Sequence, residues 1–221
     1  MALKVTKGEG GDFELLPSGV YVARCYKIVD LGTQDVTWLG EKKQQHKVMI
    51  YWEILDDKVK MNDGRPYSIS RKYTASLNEN SHLYADLVNW RGKEFTEAEL
   101  AGFDISKLLG AYCQMQVIHN KADNGKTYAN VNSLMATKER PKAVNPDVMF
   151  DIDEPDMKVF ETLSDWLKDQ VRASAEWQAR EGDADTAEPT VSKPIGKEAD
   201  VTIEDLGGAP DDDINPDDIP F

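Results

Sequence analysis

Residues 65–92 read RPYSISRKYTASLNENSHLYADLVNWRG, and this stretch decides the fold. Its first half has strand character: Tyr67, Ile69, Arg71 and Tyr73 alternate with Ser68, Ser70 and Lys72, so each set shares one face of an extended chain. Neither face is plainly apolar. The second half changes period. Leu83, Leu87 and Trp90 recur at near-helical spacing, Asn80 or Ser81 offers an N-cap, and Gly92 offers a stop. A strand is therefore followed at once by a helix.

Upstream, Pro17-Ser18-Gly19 marks a turn, and residues 19–30, GVYVARCYKIVD, form a first strand with Val20 and Val22 opposite Tyr21, Ala23 and Cys25. Residues 31–45, LGTQDVTWLGEKKQQ, read as a long mobile loop exposing Trp38 beside Lys42 and Lys43. Residues 46–55 form a second strand in which Val48, Ile50, Trp52 and Ile54 oppose Lys47, Met49, Tyr51 and Glu53; Asn62-Asp63-Gly64 then turns the chain. Downstream of the helix, residues 97–109 are a second short helical piece. After Gly110, Tyr112, Gln114, Gln116 and Ile118 oppose Cys113, Met115, Val117 and His119. Asn124-Gly125 turns that strand into residues 126–134, with Ala129 and Val131 inward.

The expected fold is mainly β: three strands, a helical insertion and two strands, the element order of a five-stranded OB barrel. A generic antiparallel α+β domain shares these elements. The barrel domain spans 1–142. Residues 143–180 form a linker, punctuated by Pro146, and an amphipathic helix over 156–180. Its stripe of Phe160, Leu163, Trp166, Leu167 and Val171 is expected to dock on the barrel, the alternative being a helix for homodimerisation or for another partner. Residues 181–210, short of large apolar side chains, form a disordered acidic linker ahead of an acidic tip at 211–221.

With 26 Lys plus Arg against 40 Asp plus Glu in 221 residues, the formal net charge of −14 argues against a phosphate-bearing partner. Position reverses the inference. Residues 1–142 hold 20 basic and 18 acidic residues (20 − 18 = +2), and residues 143–221 hold 6 and 22 (6 − 22 = −16). The acid is a tail. Cys25 and Cys113 have no metal-site or disulfide-framework spacing, which suits a reducing cytoplasm. No apolar run approaches the ~20 residues of a membrane span, and residues 1–16 lack a signal-peptide core.

No enzymatic constellation stands out. Gly8-Glu9-Gly10-Gly11 has neither dinucleotide-binding nor P-loop spacing, and His46, His82 and His119 are scattered. The carboxylates of Asp151, Asp153 and Glu154 imitate half of a nuclease metal site, but they read as solvated charge with no basic partner, so no metal or cofactor is expected. The better lead is aromatic residues interleaved with bases and amides: Trp38, Lys42 and Lys43 in the loop; Arg65, Tyr67, Arg71, Lys72 and Tyr73 on the third strand; Tyr112, Lys121, Lys126, Tyr128 and Asn130 on the last hairpin. Unpaired bases stack on aromatic rings at ~1–3 kcal/mol each while Lys and Arg track phosphates, neither contact requiring a particular sequence. Trp52, Trp90 and Tyr51 are assigned to the core.

The last residues carry the sharpest motif. Asp217, Asp218, Ile219, Pro220 and Phe221 close the chain, and Asp211-Asp212-Asp213-Ile214 precedes them across Asn215-Pro216. This resembles the acidic tip of bacterial single-stranded DNA-binding proteins, which ends in Asp-Asp-Asp-Ile-Pro-Phe. The strand order, with GKTYANV at 125–131, looks like phage-encoded single-stranded DNA-binding proteins that pair an OB fold with an acidic tail. The resemblance implies a non-enzymatic, sequence-nonspecific single-stranded DNA binder of replication or recombination in a host cytoplasm. The tip would insert its terminal Phe into an apolar pocket on replication or recombination proteins, and would compete with DNA for the basic groove. The alternative is a decoy that fills host tip-binding pockets without coating DNA.

Overall fold

The computed structural model describes residues 14–38, 40–122 and 125–185. Two long strands, β1 (Gly19–Trp38) and β2 (Glu41–Ile54), form an antiparallel hairpin that carries everything else. β3 (Ser68–Thr74) pairs with β2, β4 (Tyr112–Lys121) with the start of β1, and β5 (Thr127–Ala136) with β4, giving the path β3-β2-β1-β4-β5. A short β6 (Val148–Phe150) runs parallel to the middle of β1. The sheet is open: among the described residues no ladder joins its outer strands, β3 and β5.

α1 (His82–Arg91) lies between β3 and β4 in the chain and packs against both β5 and β3. Ser81 caps it, accepting a hydrogen bond from the amide of Tyr84, and Gly92 ends it in the left-handed conformation at φ 68°. Between the outer strands, Arg71 on β3 pairs with Asp86 of α1 at 3.0 Å and reaches the Val131 carbonyl of β5 at 3.4 Å. α2 (Glu97–Leu100), closed by a Thr96/Glu99 capping box, and a 3-10 turn (Ile105–Leu108) stand where one short helical piece was expected.

Two apolar cores form, one on each side of the hairpin. The first takes the inward row of β1 to β5, including Ala23, Cys25, Ile50, Trp52, Met115 and Leu134, together with Leu83, Leu87 and Trp90 of α1. The second holds Val29, Leu31, Phe150, Ile152, Phe160 and Trp177. β1 serves both because it is bulged. Cys25 pairs with Trp52 and Lys27 with Tyr51, leaving Tyr26 as an extra residue; a second slip leaves Leu31 extra between Asp30 and Gly32. One extra residue exchanges the faces, so odd-numbered Ala23 and Cys25 share a core with even-numbered Ile28 while Val29 and Leu31 point to the other side.

The sequence reading also differs from the structure at β6, which lies in a span expected to be linker, and in two larger places. The expected loop at 31–45 is a β-ribbon: pairing runs from Thr33–His46 to Trp38–Glu41, and Lys42 and Lys43 are exposed on its second strand. A ribbon solvated on both faces has no apolar alternation to read. The single helix expected over 156–180 is three: α3 (Met157–Thr162), α4 (Asp165–Arg172) and α5 (Ala175–Asp185). Serines break it. Ser164 accepts from the Leu167 amide, and the Ser174 hydroxyl donates to the Val171 carbonyl at 2.6 Å and accepts from the Trp177 amide at 3.2 Å. The resulting bends wrap Phe160, Leu167, Val171 and Trp177 around the second core, whereas Trp166 is 40% exposed. Linker residues from 186 onward and the tip residues Asp217, Asp218, Ile219, Pro220 and Phe221 lie outside the described residues.

Candidate nucleic-acid interface

Burial divides the candidate set. Tyr67 and Tyr73 are buried in the first core, so neither ring is available to stack on a base. The Tyr73 hydroxyl donates to Asp86 at 2.7 Å, and burial, then the adjacent carboxylate, push its ionisation well above the usual phenol range. Arg71 is spent on Asp86 and the Val131 carbonyl. Tyr112 lies on the outer face, but its hydroxyl donates to the Pro141 carbonyl at 2.9 Å and the Arg140 guanidinium covers its ring at 5.0 Å. Arg65 is exposed and closes a turn on Asp63 at 2.6 Å.

The remaining candidates do not meet at one point. Lys42 and Lys43 lie on the ribbon opposite Thr37 and Val36, at one end of β1, with Lys43 at 3.8 Å from Glu41. Trp38 is at the ribbon tip, its side chain outside the described positions. Lys121 and Lys126 are exposed at the β4–β5 turn, beyond the other end of β1, with half-buried Tyr128 and Asn130 beside them. The 20 residues of β1 separate the groups by on the order of 60 Å of strand contour. Lys72 sits between them, opposite Met49 on the outer face of β3.

What fills that interval is a group the sequence reading passed over. Lys27 pairs in register with Tyr51, and Tyr51 with Ser70, so all three share the outer face. The Lys27 ammonium stands 4.1 Å from the Tyr51 ring centroid. The bulged Tyr26 meets Tyr51 edge-on at 6.4 Å, and its hydroxyl lies 2.8 Å from Ser68 Oγ. Burial pushes both tyrosine hydroxyls upward and draws the Lys27 ammonium downward. These side chains are half-buried, and among the described residues no carboxylate stands within ion-pair distance of Lys27. Tyr51, expected in the core with Trp52 and Trp90, packs partly buried against the second core while its ring borders the outer face, on the row of Lys47 and Met49 opposite the aliphatic one.

A buried knot borders this face. Glu53, fully buried, accepts from Arg24 at 3.0 Å, from the Asn145 amide at 2.8 Å and from the Asn145 side chain at 2.8 Å; Arg24 also pairs with Asp147. The knot clamps residues 144–147 over the sheet. At the ribbon base, Glu176 of α5 accepts from the Thr33 amide at 2.8 Å and hydroxyl at 2.6 Å, and Gln34 donates to the Gln170 carbonyl at 2.9 Å. The ribbon is thereby braced by the helices.

Among the described residues no group of His, Cys, Asp or Glu is arranged to hold a metal ion, Asp151, Asp153 and Glu154 included, and no helix is long and apolar enough to cross a membrane. No protein-family model matches the chain, and no curated protein sequence matches it.

Proposed function

We propose that the chain binds single-stranded DNA without sequence preference, across the outer face of β1–β3, and that its acidic tip recruits replication or recombination proteins. The fold reading beneath this is an OB barrel opened along the β3–β5 seam. Support comes from the strand path with α1 inserted against both seam strands, and from known OB usage of the β2–β3 face and the β1–β2 and β4–β5 connections for oligonucleotides.

The observation that carries the reading is the outer-face group of Lys27, Tyr26, Tyr51 and Lys72 between two basic extremities. A lysine with no carboxylate partner among the described residues, beside two half-buried rings, offers a phosphate and a base their contacts together. The tail, at −16 from residue 143, competes for the same positive charge. Titration of fluorescent oligo-dT with the full chain and with a form lacking residues 211–221, across salt, tests this. Binding that weakens linearly in log affinity against log salt, and tightens on tail removal most at low salt, is expected; no binding by either form overturns the proposal.

A further inference from the structure

A cavity of about 280 Å³ opens at the end of the sheet where α1, the turn around residue 104 and β6 meet. Its walls are apolar: Leu77, Leu83, Leu87, Phe103 and Met149 line it, continuous with the first core. Its polar lining is one-sided. Asp30, Asp104 and Asp151 contribute three carboxylates from three separate segments, against the single imidazole of His46, which is itself bonded to Asp30 at 2.7 Å. No lysine or arginine among the described residues lines it. Asp104 is held below the ordinary carboxylate range by the hydroxyl and amide of Ser106, so its charge is present at neutral pH.

This chemistry selects among occupants. A phosphate backbone brings negative charge to three aspartates. The chain's own residues 186–221 carry 10 acidic and 2 basic residues, and their tip places aspartates directly before Phe221. Both are repelled by the rim whatever their apolar groups gain inside. An apolar side chain flanked by lysine or arginine gains on both counts: the side chain leaves water and the flanking charges meet the carboxylates.

We propose that this cavity is a docking site for a basic segment of another protein, in which one large apolar side chain enters the cavity and neighbouring Lys or Arg residues pair with Asp30, Asp104 and Asp151. It shares no lining residue with the Tyr26, Lys27 and Tyr51 group and does not depend on DNA binding. Partner contact is thereby divided between an acidic tip that seeks basic pockets and an acidic pocket that seeks basic tips.

The test uses the full chain and two fluorescein-labelled probes of equal charge, Lys-Lys-Leu-Phe-Lys-Lys-Gly and Lys-Lys-Gly-Ser-Lys-Lys-Gly, followed by anisotropy. The Leu-Phe probe is expected to bind at least tenfold more tightly. That advantage should vanish in the double variant Asp104→Asn/Asp151→Asn and in Ala75→Trp, which fills the mouth from an exposed position. Circular dichroism and an unchanged urea midpoint establish that the variants are folded. Equal binding of the two probes, an advantage that survives Ala75→Trp, or displacement of the Leu-Phe probe by a peptide of residues 211–221 would each overturn the proposal.

Discussion

The Lys27 ammonium rests 4.1 Å above the ring of Tyr51, on the face of β1 and β2 opposite the first core. Burial draws its proton affinity down, and among the described residues no carboxylate stands within ion-pair distance of it. On the proposed reading, Lys27 is the cation that meets a DNA phosphate. Lys27→Gln should weaken oligo-dT binding and lower the slope of log affinity against log salt by about 1, with little change in thermal stability. An unchanged slope in fluorescence titration would remove Lys27 from the interface.

Tyr51→Leu keeps apolar contact with the second core and deletes the ring. Loss of one stacked base should cost about 1–3 kcal/mol of oligonucleotide affinity, leaving the salt slope intact. Tyr73→Phe, by contrast, strands Asp86 without its hydroxyl partner and should lower stability by about 1–3 kcal/mol in urea titration while sparing affinity. Equal affinity losses in the two variants would show that the effects are indirect.

Glu53→Ala should be among the most damaging single changes. It leaves Arg24 buried with only the exposed Asp147 carboxylate and orphans the amide of Asn145. Removing one member of such a buried pair costs roughly 3–5 kcal/mol, readable as a shift of the urea midpoint. Glu53→Gln, which keeps the shape and an acceptor oxygen, should recover part of that loss.

His46 supplies a pH dependence. Its hydrogen bond to Asp30 is the main influence raising its pKa above that of an unfolded histidine, burial opposes, and the charges of Asp30 and Glu176 add to the rise. A raised folded-state value means that protonation stabilises the fold. The contribution is complete below the unfolded value of ~6.5 and is lost as pH climbs through the folded value. Thermal stability should therefore decline on the alkaline side of that window in the full chain, and the decline should flatten in His46→Asn.

Gly32 adopts φ 68° where β1 passes α5, and a Cβ there would lie 2.6 Å from Ser174 Cβ and 2.7 Å from Glu176 Oε2. Gly32→Ala should cost roughly 1–2 kcal/mol for the left-handed backbone alone, with the clash in addition. Amide exchange should accelerate selectively along the ribbon at 33–46, since Glu176 would be pushed from Thr33.

The first part of β1, the second part of β2, and β4 and β5 were legible because each presents one row to a core, and α1 because Ser81 and Gly92 bracket it; the 31–45 ribbon and β6 were not. What escaped reading has nonlocal causes. Tyr73 looks like a surface tyrosine until Asp86, 13 residues on, is folded against it. The exchange of faces at Tyr26 is a one-residue slip that only the pairing with Trp52 and Tyr51 reveals. The three helices were hidden because Ser164 and Ser174 are tolerable within a helix, and wrapping around Val29 and Leu31 decides against continuity.

One consequence of the shared strand concerns the order in which the molecule is made. Val29 and Leu31 emerge from a ribosome early, yet the side chains that cover them, from Phe150 to Trp177, are synthesised more than a hundred residues later. Until then the hairpin can complete its first core but must hold a greasy flank open to solvent, a target for chaperones and for other nascent chains. A chain stopped before Trp177 should be sticky rather than merely shorter, and the finishing of α5 is the moment at which β1 becomes safe on both sides.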